Sequence, residues 1–207
     1  MKNRIPPWAQ TCNYKRRVGV IAPTASFLIF TEGKTEELYF NDFRLGNAQV
    51  RAIGLGRGST TLVSDAIKKK KLYAKNGEVY TQYWIVFDRD SGNNTVDQIY
   101  QAIAQAEKNG FRWAFSNPCF EIWYLLHFVL RNTSTTADEL KNSLIPHYIP
   151  GYKETMKGIY QQIKGRQGNA VNNAGQLIVS RLEWQKNLAN VNPSTNIFDL
   201  VGELNKS

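Results

Sequence analysis

The sequence predicts an α/β protein: a mostly parallel β-sheet flanked by helices, with a helical C-terminal region. Three observations predict it. Short apolar runs bounded by turn residues recur up to residue 130. Stretches with helical spacing stand between them. Beyond residue 130 the strand signals fade while helical spacing continues. Strands that alternate with helices argue for βαβ units and hence for parallel pairing.

Each element has its own signal. Ser26-Phe27-Leu28-Ile29-Phe30 lies between Pro23 and Gly33 and reads as a buried strand. Thr35 to Leu45 shows helical spacing through Leu38, Tyr39, Phe43 and Leu45. Val50 to Leu55 is a second strand, followed by the turn Gly54-Leu55-Gly56-Arg57-Gly58. Ser59 or Thr60 is then the expected cap of a helix running to about Lys75. Tyr83-Trp84-Ile85-Val86-Phe87 is the clearest strand, and it ends in Asp88-Arg89-Asp90-Ser91-Gly92. Val96 to Asn109 reads as a helix closed by Gly110. Arg112 to Phe115 is a fourth strand. Asn117-Pro118 is expected to open a buried helix, Cys119 to about Leu130, with Asn as cap and Pro at the first helical position. Met156–Ile163, Ala170–Leu188 and Ile197–Leu204 look helical. The expected organisation is a basic N-terminal arm (1–25), an α/β core (26–130) and a helical extension packed on it (131–207).

Composition narrows the function classes. Apolar residues make up 42% of the 207 residues and aromatics 12%, which supports a packed core and excludes a disordered chain. No apolar run of ~18 residues is present, so no membrane association is expected. The basic N-terminus lacks the apolar run of a secretory signal. Cys12 and Cys119 are the only cysteines, which excludes a disulfide scaffold and fits a cytoplasmic location. Lys plus Arg number 26 against 17 Asp plus Glu, a net +9 that favours an anionic partner, with nucleic acid, DNA or RNA, first.

The acidic residues fall where a parallel sheet places its ligands, beyond the carboxyl ends of strands. One strand ends in Thr31-Glu32-Gly33-Lys34-Thr35-Glu36 and another in Asp88-Arg89-Asp90. If those strands are neighbours, Glu32, Asp88 and Asp90 converge, with Glu36 at the start of the next helix. Converging carboxylates repel one another unless a cation sits between them. All-oxygen ligands suit Mg²⁺ or Mn²⁺ rather than zinc. A hard cation beside basic residues suits phosphodiester chemistry. Gly33 is expected to let the chain turn sharply off the strand. The competing reading is that these acids cap helices and oppose their dipoles.

Glu32-Gly33 after one strand and Asp88-x-Asp90 after a later one resemble the Toprim fold of topoisomerases, primases and several nucleases. Glu32-Gly33-x-x-Glu36 is similar to the spelling in the overcoming-lysogenization-defect nucleases. Three longer stretches narrow the resemblance: Thr31 to Phe40, Ser116-Asn117-Pro118-Cys119-Phe120-Glu121-Ile122-Trp123-Tyr124-Leu125-Leu126-His127-Phe128, and Asn192-Pro193-Ser194-Thr195. Together they resemble the RloB family, RloB and AbiLii-like proteins, found near restriction and abortive-infection loci. The resemblance implies a Toprim-like nuclease in antiviral defence. It implies Glu32 as general acid/base, Asp88 and Asp90 as metal ligands with Glu32, and Glu36 as a second-metal ligand. An ATPase or a restriction or defence protein is the expected protein partner. A non-catalytic nucleic-acid-binding or effector subunit is the alternative.

Other enzyme classes fit less well. Topoisomerases need a nucleophilic Tyr on a separate module, and primases bring further modules. A dehalogenase-type phosphatase puts Asp-x-Asp after its first strand, and a sugar-nucleotide transferase does not explain Glu32-Gly33-x-x-Glu36. Glu121 is the only carboxyl in its helix and is costly to bury unless paired or at the edge of the site. Lys34 is a further candidate for that edge. Arg57, in a Gly-rich turn before a helix, either touches a phosphate or decorates an exposed turn. His127 reads as a hydrogen-bonded core histidine. Lys68 to Lys71 are expected to end their helix, where they oppose the dipole. Tyr152-Lys153 and Arg166 are weaker candidates for nucleic-acid contact. Trp84, Trp113, Trp123 and Trp184 read as core.

Overall fold

A computed structural model describes residues 25–43, 48–89, 95–178 and 181–206. The elements follow the expected alternation: β1 (Ala25–Thr31), α1 (Lys34–Asn41), β2 (Ala48–Gly54), α2 (Ser59–Lys75), β3 (Gln82–Asp88), α3 (Val96–Lys108) and β4 (Arg112–Asn117). A helical region follows, comprising α4 (Glu121–Leu126), α5 (Ala137–Glu139), a π-helical turn (Leu140–Leu144), α6 (Ile145–Tyr148), α7 (Ile159–Ile163), α8 (Gln167–Leu177) and α9 (Arg181–Asn187). A two-residue strand, β5 (Ser194–Thr195), precedes α10 (Ile197–Asn205).

Among the described residues five strands make one sheet in the order β2-β1-β3-β4-β5. The first three pairings are parallel, and β5 runs antiparallel to β4 through Ser116–Thr195 and Asn117–Ser194. Strand alternation sends Phe27, Ile29, Trp84 and Val86 to one face, where α1, α4, α8 and α10 cover them. Leu28, Phe30, Ile85 and Phe87 point to the other face, under α2, α3 and α9. Both faces are therefore dry, as a parallel sheet requires. Among the described residues no helix is long and apolar enough to cross a membrane.

The structure corrects several local expectations. Asn117 ends β4 instead of capping a helix, and its bond to Pro118 is cis. The helix that follows starts only at Glu121, capped by Phe120, and stops at Leu126 instead of Leu130. Gly58, and neither Ser59 nor Thr60, is the cap of α2. Lys68 to Lys71 do not end α2, which runs on to Lys75. Lys70 donates to the carbonyls of Asn109 and Gly110 and covers the rings of Tyr83 and Phe111. The helix expected over Ala170–Leu188 is two helices, and β5 has no counterpart among the expected strands. Trp84, Trp113, Trp123 and Trp184 are buried. Residues 1–24 of the basic arm lie outside the described residues.

Candidate active site

The carboxyl ends of β1 and β3 stand side by side, with Thr31 paired to Val86. The chain leaves them in opposite directions: from β1 through α1 to β2, and from β3 through α3 to β4. The two helices lie on opposite faces of the sheet. A doubly wound sheet opens a crevice at such a point, because neither helix covers the strand ends.

Glu32 and Asp88 occupy that point. The Glu32 amide extends the pairing with β3 by donating to the Val86 carbonyl at 3.2 Å. Its carboxylate turns toward β3, and Oε2 accepts the Asp88 N–H at 3.0 Å. The Asp88 carboxylate accepts the Phe120 N–H through Oδ2 at 3.0 Å, so the loop before α4 also fixes it. Glu36 lies in the first turn of α1 and is only 3% exposed. Gly33 has extended backbone (φ −117°, ψ 179°) that any residue adopts, which corrects the expected sharp turn. The glycine gives room instead: a Cβ there would stand 2.8 Å from Glu36 Oε2. Glu121, the first residue of α4, is buried and accepts the Tyr152 hydroxyl at 2.8 Å.

A cavity of about 320 Å³ covers the crevice. Glu32, Glu36, Asp88 and Glu121 line it, together with Lys34, Arg57 and Lys141. Four of the acids named from the sequence thus share one pocket, and Arg57 and Lys34 lie at its edge. Lys34 also pairs with Glu37, which in turn accepts the Gly54 N–H. Asp90 lies outside the described residues.

Burial and like charge dominate the electrostatics. Burial pushes the Glu36 carboxyl up to about 7, and the Glu121 charge adds to the effect. Burial also holds the Asp88 carboxyl well above the usual range, reinforced by the charges of Glu36, Glu32 and Glu121. Cys119 is buried against Glu121 and Asp88, which keeps its thiol protonated. His127 is away from this cavity. Its Nδ1 donates to the Trp123 carbonyl at 2.8 Å, and burial lowers its pKa to about 4.

Among the described residues no three His, Cys, Asp or Glu side chains are set to hold a metal ion as they stand. The donor chemistry nonetheless fits a hard cation. Glu36 Oε2 and Asp88 Oδ1 are buried with no hydrogen-bond donor among the described residues. Mutually repelling carboxylates with spare lone pairs are the oxygen donors that Mg²⁺ and Mn²⁺ take.

Sequence reasoning did not find Lys141, Glu154 or Thr155, which complete the cavity lining from the helical region. They follow no spacing rule, because the segment that carries them is short helical turns and loop. Tyr152, expected as a nucleic-acid contact, is 7% exposed and committed to Glu121, so that expectation is corrected.

No curated protein and no solved structure matches the chain. A family model described as RloB-like protein matches residues 27–204, most of the chain and all of the sheet except the first two residues of β1. The chain belongs to the RloB-like protein family.

Proposed function

We propose that this protein is a metal-dependent nuclease of the Toprim type, which hydrolyses phosphodiesters of DNA or RNA in antiviral, abortive-infection defence. The observation that carries this reading is the meeting of Glu32 and Asp88 at the switch point of the sheet, with Glu36 and Glu121 in the same cavity. Asp88, Glu32 and Glu36 would hold Mg²⁺ or Mn²⁺, and Asp90, two residues past the end of β3, is the further expected ligand. When bound, such a cation polarises the phosphoryl oxygen, lowers the pKa of its water and neutralises charge on the leaving oxygen.

The chain's own residues account for the rest. The Asp88 N–H holds the Glu32 carboxylate at a fixed place beside the strand end. That position suits a general base, which takes a proton from the attacking water and returns it to the leaving oxygen. Glu36 and Asp88, protonated more readily than ordinary carboxylates, give up their protons when they act as ligands. Lys34, Arg57 and Lys141 bring positive charge to a cavity whose floor is acidic. The net +9 favours a polyanionic substrate, and a cytoplasmic setting with an ATPase or a restriction or defence protein as partner completes the proposal.

Plasmid DNA, single strands and tRNA incubated with and without Mn²⁺ test the reading directly. The wild type is expected to cut at least one of them only with metal, while Asp88→Asn and Glu32→Gln do not cut. Equal behaviour of all three proteins refutes catalysis. The lack of a ready three-ligand set among the described residues favours a second reading, a binding or effector subunit. Such a subunit would keep nucleic-acid affinity and cut nothing under any metal.

A further inference from the structure

One wall of the cavity comes from a part of the chain to which the catalytic reading gives little to do. Lys141 lies in the π-helical turn, and Glu154 and Thr155 lie in the loop before α7. Lys141 Nζ makes a close ion pair with Glu154 Oε1. The Lys141 side chain is 29% exposed and that of Glu154 57%. On its inner side, the Lys141 charge acts on Glu121 and Glu36. Burial opposes the ammonium, but the hydrogen bond to Glu154 and the Glu121 charge hold its pKa above the ordinary lysine range. Lys141 is therefore cationic throughout the physiological range. Thr155, next to Glu154, has φ of 64°. A β-branched residue seldom adopts that backbone, and strain of this kind collects at ligand clamps.

We propose that Lys141 and Arg57, on the rim of one cavity, form the position that grips a substrate phosphate, and that Glu154 occupies Lys141 until the phosphate displaces it. The inference rests on the reading of the substrate as a phosphodiester. A phosphate offers Lys141 the negative charge and acceptor oxygens that Glu154 now supplies, so the ammonium stays paired through the exchange. Glu154 is the more exposed partner and loses little by moving into water. The carboxylates on the floor cannot take this role, since they repel an anion.

Calorimetric titration of the full chain in Mg²⁺, with inorganic phosphate and with a single-stranded oligonucleotide, tests the exchange. Glu154→Gln is expected to bind phosphate about threefold tighter, the scale of a half-exposed ion pair. Lys141→Ala is expected to bind it at least ~10-fold more weakly, the scale of a lost charge-assisted contact. Lys141→Arg, which keeps the charge, stays within about threefold of wild type. If Lys141→Ala does not fold, Glu154→Gln and Lys141→Arg decide the matter. Unchanged or weaker phosphate binding by Glu154→Gln overturns the proposal, as does unchanged binding by a folded Lys141→Ala. Affinities that shift as expected in a protein that cuts nothing uphold the phosphate position while removing the nuclease. Metal-dependent cutting with unmoved phosphate affinity does the reverse.

Discussion

Replacing Glu36 with Gln should make the metal-free protein more stable at alkaline pH, and the gain should vanish in acid. Glu36 is 3% exposed, and burial with the nearby Glu121 charge raises its carboxyl from 4.5 to about 7. In the unfolded chain Glu36 ionises above about 4.5, whereas the folded chain keeps its proton until about 7. The stability Glu36 contributes is thus fully present below 4.5 and is lost as pH rises through 7. At about 1.36 kcal/mol per pKa unit, the loss amounts to about 3 kcal/mol by pH 8. Gln has no proton to lose, and it keeps an acceptor for the backbone N–H groups of Gly33 and Glu36 that the carboxylate now engages. For a chain of this length a kilocalorie moves Tm by roughly 2–4 °C, so Glu36→Gln should melt about 6–12 °C higher at pH 8. Thermal melts followed by circular dichroism in EDTA, at pH 4.5, 6 and 8, measure this. Mn²⁺ should then raise the Tm of wild type more than that of the variant, because one ligand is gone. A difference between the two proteins that does not change from pH 4.5 to 8, or a wild type that is the more stable at pH 8, refutes the reasoning.

The glycines around the site separate two kinds of crowding. Gly33→Ala meets only the movable end of Glu36, so it should cost less than about 1 kcal/mol of stability in thermal melts while the Mn²⁺-induced rise in Tm shrinks. Gly54→Ala would put its Cβ 2.7 Å from the Gly33 carbonyl, a backbone atom, and urea denaturation should show a loss of about 2 kcal/mol or more. Tyr152→Phe removes the hydroxyl that donates to Glu121 and should destabilise by about 1.5–3 kcal/mol in the same assay. His127 has the opposite sign to Glu36: burial lowers its pKa from 6.5 to about 4, so its contribution is present above 6.5 and lost as pH falls through 4. That loss is about 3 kcal/mol, and in His127→Leu the decline in Tm between pH 6.5 and 4 should flatten.

Glu32 and Asp88 were legible because one follows β1 and the other closes β3, each after an apolar run, and a parallel sheet gathers its strand ends along one edge. What the sequence could not state was that β1 and β3 are neighbours, since strand order depends on long-range pairing. Glu121 stood out for a physical reason, the expense of a carboxyl in an apolar helix, and the structure supplies its donor in Tyr152. Tyr152 itself was misread, because an aromatic beside Lys153 looks like a surface pair until the tertiary fold buries it. Asn117-Pro118 carries the local spelling of a helix start, yet the pairing of Asn117 with Ser194 holds it in the sheet. That partner lies 77 residues further along the chain, beyond any local pattern. Lys141 reaches the site only through the packing of the helical region on α4, which no spacing rule encodes.

The sheet borrows its last border from a segment distant from β4 in sequence. Asn196, just past β5, accepts the Phe115 N–H at 2.7 Å and donates to the Trp113 carbonyl, so the junction with α10 is stitched onto β4. A ribosome must therefore deliver the chain through Asn196 before the free edge of β4 is shielded. A product released early, for example near residue 190, would offer β4 as a bare template to other chains, and clumping rather than partial function is its expected fate.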